Sequence, residues 1–168
     1  MKRSWLKRGN SVLKRSYLKR SGFKKRRTKT ERQVLIDGLD KLFRECLLLR
    51  DKVCQYSGKK ENLQVSHYIT RENKHLRWDF WNCHIINGGV HLFLFHKRPH
   101  LYKEWLIRRI GKEKVEWLEM QDRIYCKPIY TCDLLLLKSD LLSKLEYYKK
   151  RDISNDKVEK LIQLIKNS

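Results

Sequence analysis

Five of the chain's six histidines, His67, His75, His84, His91 and His96, fall within the 35 residues NLQVSHYITRENKHLRWDFWNCHIINGGVHLFLFH, 62–96. An imidazole that is neutral near pH 7 can take a proton or ligate a metal. Three members of the segment stand at telling intervals. His67 precedes Asn82 by 15 residues, Asn82 precedes His91 by 9, and His96 follows 5 later. Core packing does not call for this mixture of histidines, asparagines and a Gly-Gly break. Proton transfer beside a bound cation does.

The elements that must position these residues follow from the apolar pattern. Val34, Leu35, Leu39, Leu42, Phe43, Cys46 and Leu47 recur at spacings of three and four, which predicts a helix over about 31–50. CQYSGKKENLQVSHYI reads as a hairpin with its turn near Ser57-Gly58-Lys59. LRWDFWNCHIIN supplies a second extended or turn element. VHLFLFHK reads as a short helix stopped by Pro99, and 101–120 as two helical pieces hinged at Gly111. The segment 139–167 reads as two amphipathic helices divided near RDISND, with Ser139 and Ser154 as N-caps. His67 then ends a strand, Asn82 ends a loop, and His91 and His96 lie on a short helix. The expectation is an α+β fold with a small ββα core at a metal-sized pocket. Trp78, Phe80, Trp81, Phe93 and Phe95 are expected in the core. Cys54 and Cys83 are expected as small buried apolar groups, and His75, His84 and His100 as surface or packing residues.

Charge sets the partner class. The net charge is +21, and residues 1–33 hold fourteen Lys or Arg against one acid, a net +13. SWLKR, SVLKR, SYLKR and SGFKKRR repeat at offsets that match neither a helix nor a strand, which predicts a disordered basic arm over 1–30. Nucleic acid fits such an arm, because each cation that neutralises a phosphate releases counterions. Arg20, Lys24, Lys25, Arg26 and Arg27 are its candidate contacts, and Trp5, Tyr17 and Phe23 are placed to stack on bases. No apolar signal-like region and no membrane span is expected. Five cysteines without a C-x-x-C pair suggest reduced thiols and a cytoplasmic location.

The His67, Asn82 and His91 spacing, with SHYITR and LRWD around it, resembles the HNH endonucleases. The likeness covers about 50–120. It is similar to a phage and prophage subgroup that includes the NinG-type recombination nucleases, which share LKRS-like basic tails. The resemblance implies a ββα-metal nuclease domain at 51–122, led by the helix 31–50 and followed by a helical extension at 123–168. It implies His67 as the general base. It implies that Asn82 holds the loop and the His67 ring, or touches the metal. His91 would ligate a divalent cation (Mg²⁺ or Mn²⁺, with Zn²⁺ or Ni²⁺ as alternatives). His96 is the next ligand, although five residues on an α-helix overshoots the four that aligns two side chains. Arg71, Arg77, Lys97 and Arg98 are candidate phosphate contacts. Ser66 stands where the family has an acidic or histidine ligand. The family's zinc knuckle reads CQYS and NGGV here, so no structural zinc is expected. The implied substrate is double-stranded or branched DNA. Cutting a branched intermediate calls for two active sites, so a homodimer is an open expectation. Two rivals stay open: an inactive HNH-fold DNA-binding module, and a basic RNA-binding protein without a metal site.

Overall fold

The computed structural model describes residues 28–124 and 128–166. The basic arm, with Arg20, Lys24, Lys25, Arg26 and Arg27, lies outside the described residues, as does the expectation that it is disordered. The described chain is a mixed α+β structure with a two-stranded antiparallel sheet among helices.

Helix α1 (Glu31–Asp51) begins where Thr30 accepts the Gln33 amide at 3.2 Å, satisfying one of the orphan donors of the first turn. Leu39, Phe43, Cys46 and Leu47 form its buried face. Each large apolar side chain hidden there contributes about 1.5–3 kcal/mol. Strand β1 (Leu63–His67) pairs antiparallel with β2 (Cys83–Asn87), with His67 opposite Cys83 and Ser66 opposite His84. Val65 and Ile85 therefore share one face and pack toward α1, while Ile86 packs on the other face against Cys54, Phe95 and Tyr102.

The expected hairpin at 54–68 is corrected by this pairing. Residues 54–59 form a tight turn, closed by Gly58 N to Cys54 O at 2.8 Å and Cys54 N to Lys59 O at 2.8 Å. The partner of β1 is the later strand, because only CHIIN offers four successive buried positions. Cys54 and Cys83 are buried as expected. Trp78 and Phe95 are buried too, but Trp81 and Phe93 are 48% and 68% exposed and belong to no core.

After β2 the Gly88-Gly89 pair leads into a π-helical turn, Val90–Phe95. Pro99 does not stop a helix here; it opens α2 (Pro99–Ile110), where its missing N–H costs nothing. Gly111, at φ +89°, ends α2 and separates it from α3 (Lys112–Ile124). The two C-terminal helices expected from 139–167 are one helix, α4 (Thr131–Lys166), whose backbone runs through RDISND without a break. Ser139 lies inside it and accepts the Ser143 hydroxyl. Its start is fixed instead by Asp133, which accepts the Tyr130 amide at 2.8 Å. Helix α4 packs along α1 in the same direction. Arg32 near the start of α1 reaches Ile129 O and Thr131, Cys46 reaches Leu141 O, and Lys52 at its end pairs with Asp152. Among the described residues, no helix is long and apolar enough to cross a membrane.

Candidate active site

The loop between the strands is the first determinant of the site. It is held by side-chain amides and carboxylates together with the buried Leu76 and Trp78. Asp79 accepts the amides of Trp81 and Asn82, and Asn73 accepts those of His75 and Leu76. Asn82 joins the two ends. It is fully buried, its Oδ1 accepts Ile69 N at 2.7 Å, and its Nδ2 donates to Ile69 O at 3.0 Å and Leu76 O at 2.8 Å. A short polar side chain in a dry position survives because each atom finds a partner. The amide thereby fixes the segment that carries Arg71 and Arg77.

His67 closes β1 and faces this loop. Its Nε2 is 3.1 Å from the Arg77 carbonyl oxygen. A carbonyl only accepts, so Nε2 carries the proton and Nδ1 keeps a free lone pair. Burial lowers the His67 pKa below that of an ordinary histidine, and the charges of Arg77 and Arg71 add to it. The Arg77 carbonyl and Asp40 act the other way. The neutral, base-competent form dominates at pH 7.

Arg77 is itself held. Asp40, on α1, accepts its Nε at 2.9 Å and its Nη2 at 2.5 Å, and also accepts Trp78 Nε1 at 2.9 Å. Its guanidinium is therefore committed to a carboxylate, while its carbonyl sets the His67 tautomer. Arg71 lines the same cavity, of about 570 Å³, as do Arg44 and Glu72. Among the described residues Glu72 has no ion-pair partner.

His91 and His96 reach the cavity from the π-helical turn. That turn resolves the spacing problem. His96 N donates to His91 O at 3.0 Å, an i to i+5 bond, so a five-residue interval brings both rings to one face. Their Nε2 atoms stand 3.1 Å apart. His91 Nδ1 is 3.1 Å from Gln64 Oε1, an acceptor, so its Nε2 is left as a lone pair that accepts a hydrogen bond from His96 Nε2. Burial, then His96 and His67, lowers the His91 pKa. Two nitrogens bound to one ion at about 2.0–2.1 Å are separated by roughly 3–3.4 Å, so the pair has the bite of a cation site. A carbonyl oxygen anchoring the far ring nitrogen is the usual outer support of a ligating histidine. Among the described residues, no three His, Cys, Asp or Glu side chains are disposed around one point. The residues present offer a cation two nitrogens, those of His91 and His96.

Comparison with family models, with curated proteins and with solved structures returns no match.

The structure brings together His67, His91, His96, Arg71 and Arg77 around one cavity, with Asn82 buried behind it. It does not bring Ser66 there. Ser66 is completely buried on the opposite face of β1, with its hydroxyl unpaired and its carbonyl facing Tyr102. Lys97 and Arg98 are exposed and do not line the cavity, and Lys97 lies over the Phe93 ring at 5.3 Å. Asp40, Arg44, Gln64 and Glu72 are the residues sequence reasoning missed. None of the four had a local signal: even Gln64, three residues before His67 on β1, has the strand parity of Ser66.

Proposed function

We propose that the chain is a metal-dependent DNA endonuclease of HNH type, with the ββα core formed by β1, β2 and the π-helical turn. The observation that carries the reading is one cavity holding a histidine with a free Nδ1 beside two histidines whose Nε2 atoms are 3.1 Å apart. His67 Nδ1 takes the proton of a water that attacks phosphorus, and the Arg77 carbonyl steadies the imidazolium that results. Arg71 meets the phosphate. Asn82 is a positioning residue, since its amide is consumed by the loop. When bound at His91 and His96, a divalent cation supplies the charge that stabilises the pentacovalent phosphorane and the leaving 3′ oxygen. A nitrogen pair suits Zn²⁺ or Ni²⁺ better than Mg²⁺ or Mn²⁺, which prefer oxygen. Double-stranded or branched DNA is the substrate class, given the basic surplus of the chain.

The lack of a third protein ligand among the described residues favours a second reading, an inactive HNH-fold DNA-binding module. One assay separates the two. Supercoiled plasmid and a branched DNA are incubated with wild type and His67→Ala in Ni²⁺, Zn²⁺, Mn²⁺, Mg²⁺ and chelator. Cutting that needs metal and is lost in His67→Ala with DNA binding retained supports the nuclease. Binding without cutting in every metal supports the inactive module.

A further inference from the structure

A second polar cavity, of about 540 Å³, opens against β2. None of its lining residues belongs to the histidine cavity. Arg50, Arg109 and Arg151 converge on it from α1, α2 and α4, and Asp51 is its one carboxylate. Asp51 is almost wholly hidden, and it is spent on Arg50 and on the Ile85 amide. Arg50 is further consumed by the Phe80 and Cys83 carbonyls.

The other two arginines are held differently. Arg109 donates to Gln55 Oε1 and lies against Trp105 at 5.6 Å. Gln55 is in turn fixed by its Nε2, which donates to Asp51 O and Val53 O at 2.9 Å. Arg151 lies against Tyr148 at 5.5 Å. Neither has an acidic partner among the described residues. Both guanidiniums are thus oriented by neutral groups and keep their charge, which is the condition for reading an anion.

The fourth wall is His84. It is 98% buried, stacks edge-on to Trp105 at 5.2 Å, and has an Nδ1 without a hydrogen-bond partner. Burial first, then Arg50 and Arg109, pushes its pKa down to about 3, so it adds no charge at pH 7. A buried polar atom left unpaired is destabilising, so packing alone does not explain a histidine here. Trp81, 48% exposed and capped by Lys114 at 5.1 Å, borders the same opening.

We propose that this cavity is a second phosphate site, in which Arg109 and Arg151 bind the oxygens of a phosphate group beside His84. The ligand is a tetrahedral phosphate oxyanion, carried either by a DNA backbone or by a small phosphate. The site does not depend on hydrolysis at the histidine cavity, and its test is run in chelator.

Inorganic phosphate is titrated into the full chain while the arginine Nε–Hε cross-peaks are followed by NMR. Saturable shifts of the Arg109 and Arg151 signals are expected in wild type, and in each single variant, Arg109→Gln or Arg151→Gln, the signal of the remaining arginine should saturate only at about 10-fold higher phosphate, as for the loss of one charged contact. Binding of a short duplex is then measured across salt. A fall of about 0.9 in the slope of log K against log[salt] for the double variant Arg109→Gln/Arg151→Gln assigns the site to backbone phosphate, since each neutralised phosphate contributes about 0.9. Phosphate shifts with an unchanged slope support the site and assign it to a small phosphate. Absent or unsaturable shifts in a wild type that melts normally would overturn it.

Discussion

The cavity against β1 and the cavity against β2 handle charge in opposite ways. In the first, a carboxylate answers the nearest arginine. Asp40 occupies Arg77, Glu72 stands beside Arg44 and Arg71, and burial lowers the pKa of His67 and His91. In the second, the carboxylate is withdrawn into the sheet and two guanidiniums stay uncompensated. Neutral lone pairs suit proton transfer and cation binding. Uncompensated cations suit holding an anion. A two-stranded sheet can separate the two functions because successive side chains alternate faces: His67 pairs with Cys83, and the next pair along, Ser66 with His84, points the other way.

The largest expected effect comes from removing the proposed base. His67→Ala should lower cleavage by about 10²–10⁴-fold with DNA affinity kept, the range expected for a positioned general base. The wild-type rate should rise with pH as His67 loses its proton, and because that pKa is lowered, the midpoint should lie below the ordinary histidine value. A rate that climbs only above pH 8 would contradict the assignment.

Asn82→Ala should come next. It strands Ile69 N, Ile69 O and Leu76 O in a buried loop, a loss on the order of 3 kcal/mol at roughly 1 kcal/mol for each bond. Urea denaturation measures it, and a loss under about 1 kcal/mol would show that the loop is held by other means.

His84 gives a third, on the β2 side. Its pKa is about 3 in the fold and near 6.5 unfolded. The unfolded chain therefore binds the extra proton as pH falls below 6.5, and stability drops. The share from His84 is about 1.4 kcal/mol per pH unit, or roughly 2 kcal/mol between pH 6.5 and 5. Urea melts of wild type against His84→Gln over that range should diverge by this slope, and parallel curves would show that the ring is accessible to protons.

The smallest effect belongs to the support of His91. Gln64→Ala frees the ring's Nδ1 and should weaken Ni²⁺ or Zn²⁺ binding by about 10-fold, the low end for loss of such a support. Calorimetric titration reads it, and unchanged affinity would mean that the nitrogen pair is not the cation site.

The two cavities also differ in how visible they are in the sequence. His67, Asn82, His91 and His96 crowd into one short segment, so residue type and interval announce them. What remained hidden was the geometry that joins His91 to His96. A π-turn has no local sequence mark, and an α-helical ruler puts the fifth residue off the face. Ser66 was misplaced for a related reason. Its place in sequence beside His67 suggested a place in the site, while strand alternation sends neighbours to opposite faces. Asp40 could not be found, because it meets Arg77 across 37 residues and looks like any charge on the outer stripe of α1. Arg109 and Arg151 stand on separate helices, where cations are ordinary surface. The merging of the C-terminal segment into one helix has a similar cause. RDISND carries cap-like residues, but it lacks the Gly or Pro that would force a break.

Whether the cavity against β1 carries the proposed chemistry is read by hydrolysis of a small activated phosphodiester in Ni²⁺. Wild type is compared with His67→Ala and with His100→Ala, an exposed histidine outside that cavity. Turnover is expected in wild type and His100→Ala, abolished by chelator and lost in His67→Ala. Equal turnover in all three, or none in wild type with Ni²⁺ bound, would contradict the proposed chemistry.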